Sequence, residues 1–403
     1  MALMPVAEAL ARVLDGASPL PGEPAPLAQA AGRVLAGDVV ALRTQPPADV
    51  SAMDGYALRA ADLAALPSRL MVIGEVAAGH PFAGTVGPGE AARIFTGGVM
   101  PAGTDTVVIQ EVVERDGDTV TVSKPVAKGR NVRVAGLDFR EGDTLLAKGR
   151  LLTGRDVMLA AAMNHPTVQV HRRPRVGVLA TGDELVPPGS ALKPGEIVYS
   201  NGFALMALAH SEGAEVIDLG VARDRVEEIT AAVRRAQEAK ADILVTSGGA
   251  SVGEHDLVQQ ALAAEGLELA FWRVALRPGR PMLNGRLRAM HVLGVPGNPV
   301  SAYVCAFLFL IPLIRRLAGR RDLQPLPESA RLGCDLPAND ERADYLRATL
   351  TKAADGTLVA TPLTAQDSSM MANLARADCL LLREAYAPSA SAGSACVILK
   401  LGL

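Results

Sequence analysis

The chain of 403 residues is long enough for two to four domains, and its 49% hydrophobic but only 3% aromatic content predicts cores of Ala, Val, Leu and Ile. The net charge is −3 and no long basic block occurs, which argues against a nucleic-acid-binding protein but permits an anionic small-molecule ligand. The cysteines form no C-x-x-C pair and the N-terminus lacks the pattern of a signal peptide. We therefore expect a reduced, cytoplasmic protein.

The first part of the chain predicts a helical unit interrupted by a β domain. Apolar residues recur at helical spacing in three segments, 5–14, 27–39 and 153–163. Residues 48–139 instead alternate short apolar runs with Gly and Pro turns, as in a mostly β domain; the runs are 70–73, 91–94, 106–109 and 119–122. We expect residues 1–47 and 140–172 to form one small elongated helical domain, with its flanking helices packed together and the β domain inserted in it.

Strand and helix patterns then alternate through residues 173–322, which predicts a doubly wound, mostly parallel sheet with helices on both faces. The predicted strands are 175–180, 215–219, 242–246 and 291–295, and the predicted helices are 202–210, 226–238, 256–264 and one that starts at 299. Asp224 and Asn298 occupy the expected N-cap positions of two of these helices.

The apolar run at residues 302–311 is shorter than the roughly 20 residues that span a bilayer. It therefore indicates a buried core helix, and we expect no membrane association. After a Pro-rich linker, residues 323–403 return to short strands, including 344–350 and 395–399, which predicts a small C-terminal β-barrel or sandwich, of which we favour the barrel. The fold class is thus a multidomain α/β plus β protein.

The most distinctive loop connects the predicted strand 242–246 to the next helix. Its polar and glycine residues include Ser247, Gly248, Gly249, Ser251 and Gly253. Glycines allow backbone N–H groups to approach an anion, and a helix N-terminus adds unpaired donors and positive charge. The loop matches neither a Walker loop nor a Rossmann fingerprint, so a phosphate site and an ordinary strand-to-helix turn remain equally open.

Two further loops follow strands of the same predicted sheet. One joins a strand to a helix and contains Pro296, Gly297, Asn298, Pro299 and Ser301. The other brings Asp183 and Glu184 to the same sheet edge, where ligands of open α/β sheets bind. With Asp224 and Asp256 it forms a carboxylate set suited to Mg²⁺ coordination or proton transfer. Taken singly, the first loop is also compatible with a simple helix entry, and Asp224 with a helix cap.

Arginines lie between these loops in the chain. Arg273 and Arg277 alternate with apolar residues along a predicted strand, so both should point to one face, and Arg280 follows in a Pro-Gly turn. Guanidinium groups suit phosphate and other oxyanions. We favour an anion-binding role for them over a solvated strand edge.

Taken together, the distinctive strings run in a fixed order along most of the chain. They are Ser-Ala-Met-Asp-Gly-Tyr-Ala at 51–57, Thr-Gly-Gly at 96–98, Pro-Ala-Gly-Thr-Asp at 101–105, Val-Arg-Val-Ala-Gly-Leu-Asp at 132–138, Thr-Gly-Asp-Glu-Leu at 181–185, Ser-Asn at 200–201, and the loops at 247–256, 277–281 and 295–301. In this order the chain resembles the MoeA-type molybdopterin molybdenumtransferases, relatives of the gephyrin E domain and its plant counterpart. It differs in having arginine at 277 and 280, where lysine is frequent, and Ser200 where aspartate is frequent.

The resemblance implies an enzyme that inserts molybdenum from molybdate into adenylylated molybdopterin and releases AMP with the help of Mg²⁺. Glu184, Asp224 and Asp256 would hold the metal, and the loops and arginines would bind substrate. The barrel strings Tyr-Leu-Arg at 345–347 and Gln-Asp-Ser at 366–368 match more weakly and imply that Arg347 and Ser368 also bind substrate.

The resemblance also implies a homodimer with a shared catalytic site. Asp54, Thr96 and Asp138 of one subunit would face the α/β domain of the other, where Glu184 and Asp256 complete the catalytic set. Without the resemblance, the local chemistry of the first three residues predicts only polar turns. The resemblance further implies that other proteins of molybdenum cofactor biosynthesis are partners of this protein.

Two alternative functions remain at this stage. One is molybdopterin adenylyl transfer, the preceding reaction, which related single-domain proteins perform; the β insertion and the barrel argue against it. The other is a dimeric scaffold or binding protein of the gephyrin E type. The complete carboxylate set favours retained catalysis instead.

Overall fold

The computed structural model describes residues 3–248 and 257–402. The first helix, α1 (Val6–Leu14), buries Ala9, Leu10 and Val13 in the core of the α/β domain. Of the predicted helical pieces, α1 therefore does not pack with the segment after the β domain, whereas residues 27–39 do, because Leu35 and Val39 share a core cluster with Ala160 and Met163 of that segment. The apolar face of α1 packs against the hydrophobic core of the α/β domain, and burial of this apolar surface stabilises the contact.

The chain next forms β1 (Gly22–Pro26), a short 3-10 helix at Leu27–Gln29 and β2 (Val39–Val40). The predicted helix over residues 27–39 is thus wrong after its first turn. Val34 and Leu35 are buried through strand-like bridges to Leu151 and Val170, so tertiary pairing overrides the helical spacing of the apolar residues.

The inserted β domain is built on one sheet of six strands. Its elements are β3 (Val50–Ser51), β4 (Gly55–Leu58), β5 (Ser68–Val76), β6 (Glu90–Ile94), β7 (Thr106–Ile109), β8 (Val113–Asp116), β9 (Thr119–Val122) and β10 (Val132–Arg133). The sheet order is β7-β4-β6-β5-β9-β8, while β3 and β10 pair separately. All four strands predicted here are confirmed.

The chain then returns to its first unit through β11 (Thr144–Leu146), α2 (Gly154–Ala162) and β12 (Thr167–His171). β11 pairs with β2 and β12 pairs with β1, both antiparallel. Thr153 and Asp156 form a capping box at the start of α2, which satisfies free N–H groups there. Gln45 bridges Phe139, so the two connections to the inserted β domain run side by side.

The α/β domain contains β13 (Arg175–Thr181), β14 (Leu185–Val186), β15 (Ile197–Val198), α3 (Asn201–Ser211), β16 (Glu215–Ala222), α4 (Val226–Glu238), β17 (Ile243–Ser247), α5 (Leu257–Ala264), β18 (Glu268–Arg273), β19 (Leu276–Arg277), β20 (Pro281–Leu287) and β21 (Met290–Val295). Its sheet has the order β16-β13-β17-β21-β20-β18, in which the first four strands are parallel. One core cluster joins the sheet to α1 and α3, and another joins it to α4 and α5. The predicted doubly wound sheet is confirmed.

The last helix of this domain runs over residues 299–317 as α6 (Pro299–Cys305), a π-helical segment (Ala306–Leu310) and α7 (Ile311–Leu317). Its 19 residues are long and apolar enough to span a membrane, but 83% of the most apolar window is buried inside the protein. The prediction of a buried core helix is confirmed. The π-helical segment precedes Pro312, whose missing N–H prevents a regular helical hydrogen bond.

The C-terminal elements are β22 (Pro327–Leu332), β23 (Ala343–Lys352), β24 (Leu358–Pro362), α8 (Met371–Arg376), β25 (Cys379–Arg383) and β26 (Ala395–Lys400). Pairing of β23 with both β24 and β25 closes five strands into a barrel, as predicted. β19 adds to it by pairing in parallel with β23, which joins the barrel to the α/β domain. The predicted multidomain fold class is confirmed.

Candidate functional site

A cavity of 990 Å³ lies at the C-terminal ends of the parallel strands β13, β17 and β21. This is the edge at which open α/β sheets bind ligands. Eight of the residues proposed from the sequence line it: Glu184, Asp224, Ser247, Gly248, Pro296, Gly297, Asn298 and Pro299. The three loops identified from the sequence therefore meet in one site. Gly249, Ser251, Gly253 and Asp256 lie outside the described residues, and their roles remain predictions.

Asn201, at the start of α3, connects these loops. Its side-chain Nδ2 donates to Ser247 Oγ at 2.9 Å and to the Gly297 carbonyl at 2.7 Å. Asn201 belongs to the string Ser-Asn at 200–201, but no role was predicted for it from the sequence. A polar residue directly before an apolar helix is the signal that could have marked it, although the same signal fits an ordinary helix start.

Gly248 brings two of the loops into close contact. Its φ is +95°, and a Cβ at this position would lie 2.5 Å from the Thr181 carbonyl oxygen. Such a position requires glycine, because a side chain would suffer both steric overlap and backbone strain. The end of β17 can therefore pass directly over the end of β13 at the cavity wall.

Asp224 lies at the cavity beside two other carboxylates. Burial raises its pKa above the ordinary value of 3.8, and the negative charges of Asp183 and Glu184 raise it further, against a lowering contribution from the Asp183 backbone N–H. The expected helix-cap role is wrong, because Arg225 is the N-cap residue of α4 and no side-chain cap bond forms. The Asp224 carboxylate is therefore available to the cavity.

This carboxylate set suits a hard cation. Oxygen donors are the ligands of Mg²⁺, and a cation would relieve the repulsion that raises the pKa of Asp224. Among the residues described, no group of three or more His, Cys, Asp or Glu side chains is arranged to hold a metal ion. Glu184 and Asp224 supply two carboxylates, and a complete protein site requires a further ligand such as Asp256.

The barrel contributes to the rim of the cavity. Ser369 and Met371 line it, and Ser368 Oγ accepts a hydrogen bond of 2.9 Å from Asn298 Nδ2. Asn298 is the N-cap residue of α6, as predicted, but its side chain makes no cap bond and is used for this interdomain contact instead. The sequence did not indicate the contributions of Ser369 and Met371.

Behind this segment lies Arg347, whose side chain is almost completely buried, with 1% relative exposure. Its Nη1 and Nη2 make only long hydrogen bonds to the carbonyls of Tyr345 (3.5 Å) and Asp367 (3.3 Å), and its Nε has no partner among the described residues. Burial lowers its pKa. A buried cation without an ion pair is costly, and an anion beside it would offset that cost.

The three other arginines are arranged differently from the prediction. Arg273 ends β18 and Arg277 lies in the separate strand β19, so they do not share one strand face; that expectation is wrong. The Arg277 guanidinium binds Asp344, Asp340 and Asn339. To bind an anion it would have to leave these partners. Neither these two residues nor Arg280 or Ser301 is among the residues that line the cavity.

Asp54, Thr96 and Asp138 belong to the inserted β domain and do not line the cavity of their own chain. Asp54 Oδ1 accepts hydrogen bonds from the backbone N (2.7 Å) and Oγ1 (2.8 Å) of Thr96, and these bonds lower the pKa of Asp54. Next to them, Met53 and Leu137 are 45% and 61% exposed. The ionised carboxylate thus stands on a surface that also presents large apolar side chains.

Comparison with known proteins identifies the family. Three family models match in order: the MoeA N-terminal region (domain I and II) at residues 4–164, a probable molybdopterin binding domain at 177–316 and the MoeA C-terminal region (domain IV) at 329–401. A molybdopterin molybdenumtransferase of Haemophilus influenzae is 36% identical over 375 residues, which cover 92% of each chain. One from Nostoc is 36% identical over 323 residues, covering 78% of this chain and 74% of the relative.

Solved structures agree with this assignment. Two crystal structures of a molybdopterin biosynthesis moeA protein from Pyrococcus horikoshii superpose with TM-scores of 0.86 and 0.84 at 32% and 29% identity. They cover 100% and 99% of this chain, and 100% of each matched chain. The chain therefore belongs to the molybdopterin molybdenumtransferase family, whose members are enzymes of molybdenum cofactor biosynthesis.

Proposed function

We propose that this protein transfers molybdenum from molybdate into adenylylated molybdopterin, releases AMP and requires Mg²⁺. The observation that carries the proposal is the 990 Å³ cavity, where loops suited to anions meet the carboxylates of Glu184 and Asp224. An adenylylated pterin presents phosphates together with a large organic group, and molybdate is an oxyanion. One site thus offers backbone donors to the substrate and carboxylates to a metal ion.

Each part of the cavity has a role in this reaction. Ser247, Gly248 and the 296–299 loop bind the phosphates, and Asn201 holds these two loops together. The buried positive charge of Arg347 attracts molybdate toward the Ser368 side of the rim. Glu184 and Asp224, together with Asp256, would hold Mg²⁺, which when bound reduces the negative charge on the phosphoanhydride.

We further propose that the active protein is a cytoplasmic homodimer. Asp54, Thr96 and Asp138 lie away from the cavity of their own chain, beside the exposed Met53 and Leu137. A second copy would cover these apolar side chains, and the ionised Asp54 of the first subunit would then lie at the cavity of the second. The adenylylated substrate and the acceptor of the finished cofactor imply partner proteins of the same pathway.

Adenylyl transfer to molybdopterin fits the structure less well. The barrel residues Ser369 and Met371 line the cavity, so the C-terminal domain takes part in the site. A reaction that needs only the α/β domain would not require this contribution. A purely scaffolding role gives no reason to hold Asp224 beside Asp183 and Glu184, where burial first and then their negative charge raise its pKa.

AMP release tests the proposed function. Purified protein is incubated with adenylylated molybdopterin and Mg²⁺, with or without molybdate, and AMP is quantified by chromatography. We expect AMP only when molybdate is present, and we expect Glu184→Gln to lower the rate by about tenfold or more because a metal ligand is lost. Glu227→Gln, at an exposed position in α4, is the matched control with wild-type activity. AMP release at an equal rate without molybdate would contradict the proposal.

A further inference from the structure

A second cavity, of 380 Å³, lies between the first unit of the chain and the end of the last helix of the α/β domain. Lys148, Gly149 and His171 line it from the first unit, and Arg316, Gly319 and Arg321 line it from the helix end. We call it the junction cavity. It has no lining residue in common with the 990 Å³ cavity, and the proposed function makes no use of it.

The junction cavity carries a surplus of positive charge. Within the described part of the chain, Lys148 Nζ and the Arg321 guanidinium have neither an ion-pair nor a hydrogen-bond partner, and Arg316 donates only to the Ala17 carbonyl at 3.0 Å. A further lining residue, Arg320, is already neutralised by Glu212 and Asp322. Three cations therefore remain without a counter-charge around one cavity.

Capping of α7 does not account for these cations. Basic residues commonly bind the free carbonyl groups at a helix C-terminus. Here the carbonyls of residues 315, 316 and 317 already accept backbone N–H groups from Arg320, Gly319 and Leu20, at 2.9, 3.1 and 2.8 Å. The helix end is thus satisfied without the side chains of Arg316 and Arg321.

His171 provides an independent indication of a ligand. The residue is only 8% exposed, and its Nδ1 lies 2.6 Å from the Leu20 carbonyl, which can only accept, so Nδ1 donates. Its Nε2 is buried and has no partner in the described structure. Gly319 adopts φ +81°, and a Cβ there would lie 2.7 Å from this Nε2, so only glycine fits beside the imidazole at the cavity wall. A buried polar atom left without a partner is costly.

We propose that the junction cavity binds a small tetrahedral oxyanion with two negative charges, of the phosphate type. Lys148, Arg316 and Arg321 supply the charge, and an anion oxygen beside His171 would give its buried Nε2 a hydrogen-bond partner. The volume accommodates such an anion together with several water molecules. Because its ligands come from both sides of the junction, the bound anion connects the first unit to the α/β domain and stabilises the folded protein.

Isothermal titration calorimetry at low ionic strength, with inorganic phosphate and with molybdate as separate probes, tests the site. The variant Lys148→Gln/Arg321→Gln removes two exposed cations that the proposed function does not use. We expect its affinity for the bound anion to be about tenfold lower. Arg69→Gln/Lys124→Gln, which removes two exposed cations from the inserted β domain, is the matched control with wild-type affinity. Both titrations are repeated in Arg347→Met, which removes the cation proposed to attract molybdate to the catalytic cavity; binding that Arg347→Met keeps and Lys148→Gln/Arg321→Gln loses belongs to the junction cavity.

A third variant, His171→Asn, keeps a donor for the Leu20 carbonyl but removes Nε2, and it should also bind the anion more weakly. Tighter binding of phosphate would identify a cellular phosphate site, and tighter binding of molybdate would identify a store of the substrate anion; either result supports the proposal. No binding of either anion, or equal losses in the Lys148→Gln/Arg321→Gln variant and its control, would overturn it. Molybdate-dependent AMP release should be unchanged in Lys148→Gln/Arg321→Gln, so this test is independent of the proposed catalytic function.

Discussion

At the residue scale, Asp224 shows how a carboxylate becomes available for function. It lies in the short connection between the end of β16 at Ala222 and the start of α4 at Val226, where a helix cap would normally use its side chain. Arg225 occupies the cap position instead, and Glu228 accepts a hydrogen bond from the backbone N–H of Arg223 at 3.0 Å. Asp224 is thereby left near Asp183 and Glu184, and the pKa of its carboxyl is raised by burial and by their charge.

This arrangement predicts a stability that depends on pH and on Mg²⁺. The folded protein raises the pKa of Asp224 above 3.8, so it favours the protonated carboxyl more than the unfolded chain does. The stability that protonated Asp224 contributes is fully present below pH 3.8 and is lost as the pH rises through the raised pKa. Asp224→Asn should therefore melt at a higher temperature than the wild type near pH 7 without Mg²⁺, and the difference should vanish in acid. Added Mg²⁺ should stabilise the wild type more than the variant.

Differential scanning fluorimetry over a pH series, with and without Mg²⁺, measures both effects. Asp116→Asn, at an exposed carboxylate in the inserted β domain, is the control and should follow the wild type. An equal response of wild type and Asp224→Asn to Mg²⁺ would remove Asp224 from the metal site.

Arg347 leads to a second prediction at this scale. Replacement of a buried, unpaired cation by an apolar side chain of similar length is expected to be neutral or stabilising. Arg347→Met should therefore keep or raise the melting temperature, while its apparent KM for molybdate in the AMP-release assay rises about tenfold or more. Arg376→Met, at an exposed arginine of α8, is the matched control. An unchanged KM together with a large loss of stability would assign Arg347 a structural role only.

The sequence located many of the cavity residues because three loops follow three parallel strands, and those strand ends meet at one sheet edge. It did not reveal Asn201, whose partners Ser247 and Gly297 are 46 and 96 residues away in the chain. Nor did it indicate that Asp224 is released from helix capping. Both depend on how separate loops fold over one another, which residue spacing does not encode.

At the scale of elements, the two-residue strand β19 links the α/β domain to the barrel. It leaves the α/β domain to pair with β23 of the barrel, and its Arg277 binds Asp344 of that strand and Asp340. Asp344 is nearly buried, with 6% relative exposure. The ion pair therefore fixes the barrel to the α/β domain near the point where Ser368 meets Asn298.

Loss of this ion pair should weaken the connection of the barrel. Arg277→Met leaves the buried Asp344 carboxylate without its strongest partner, and we expect the free energy of unfolding to fall by about 2 kcal/mol. Arg277→Met/Asp344→Leu removes both charges and should recover most of that loss. Urea denaturation followed by circular dichroism measures the effect. If Asp344→Leu lowers the free energy of unfolding by the same amount in Arg277→Met as in the wild type, the two residues act independently.

Elements of the α/β domain were the easiest to predict. Buried parallel strands form continuous apolar runs, and the helices between them show clear spacing and ends. A helix was wrongly predicted over residues 27–39, because their apolar side chains are spaced as in a helix but are buried by strand pairing with residues 144–171. β19 was not predicted, because the sequence of a two-residue strand is too short to specify it. Its pairing partner, β23, lies 67 residues farther along the chain.

At the scale of the whole molecule, the separation between Asp54 and the cavity is the central feature. If a second subunit completes each site, two inactive variants should restore one another. Co-expression of Asp54→Asn and Glu184→Gln chains gives mixed dimers in which one site carries both substitutions and the other carries none. With random pairing, AMP release of the unfractionated mixture should recover to about a quarter of the wild-type rate and that of purified mixed dimers to about half, while each variant alone stays nearly inactive.

The mixed dimers are purified through two different affinity tags, and their mass is checked by light scattering. The control is a mixture of Glu184→Gln with a Glu184→Gln/Asp54→Asn chain, in which no site is intact and no recovery is expected. Failure of the first mixture to regain activity, in dimers of confirmed composition, would show that Asp54 and Glu184 do not act in a site shared between subunits.

The side-by-side course of the connections at Gln45 and Phe139 has a consequence for how such a chain could arise. Gly136 N donates to the Pro46 carbonyl and Asp138 N to the Gln45 carbonyl, both at 3.0 Å. The two segments that connect the inserted β domain to the rest of the chain are therefore adjacent and hydrogen-bonded to each other. The pairings of β1 with β12 and of β2 with β11 do not involve these segments. A gene segment for this domain could therefore be gained, lost or exchanged in one event without breaking a strand pair elsewhere, and its surface, with Asp54 and Thr96, can evolve separately from the cavity of the α/β domain.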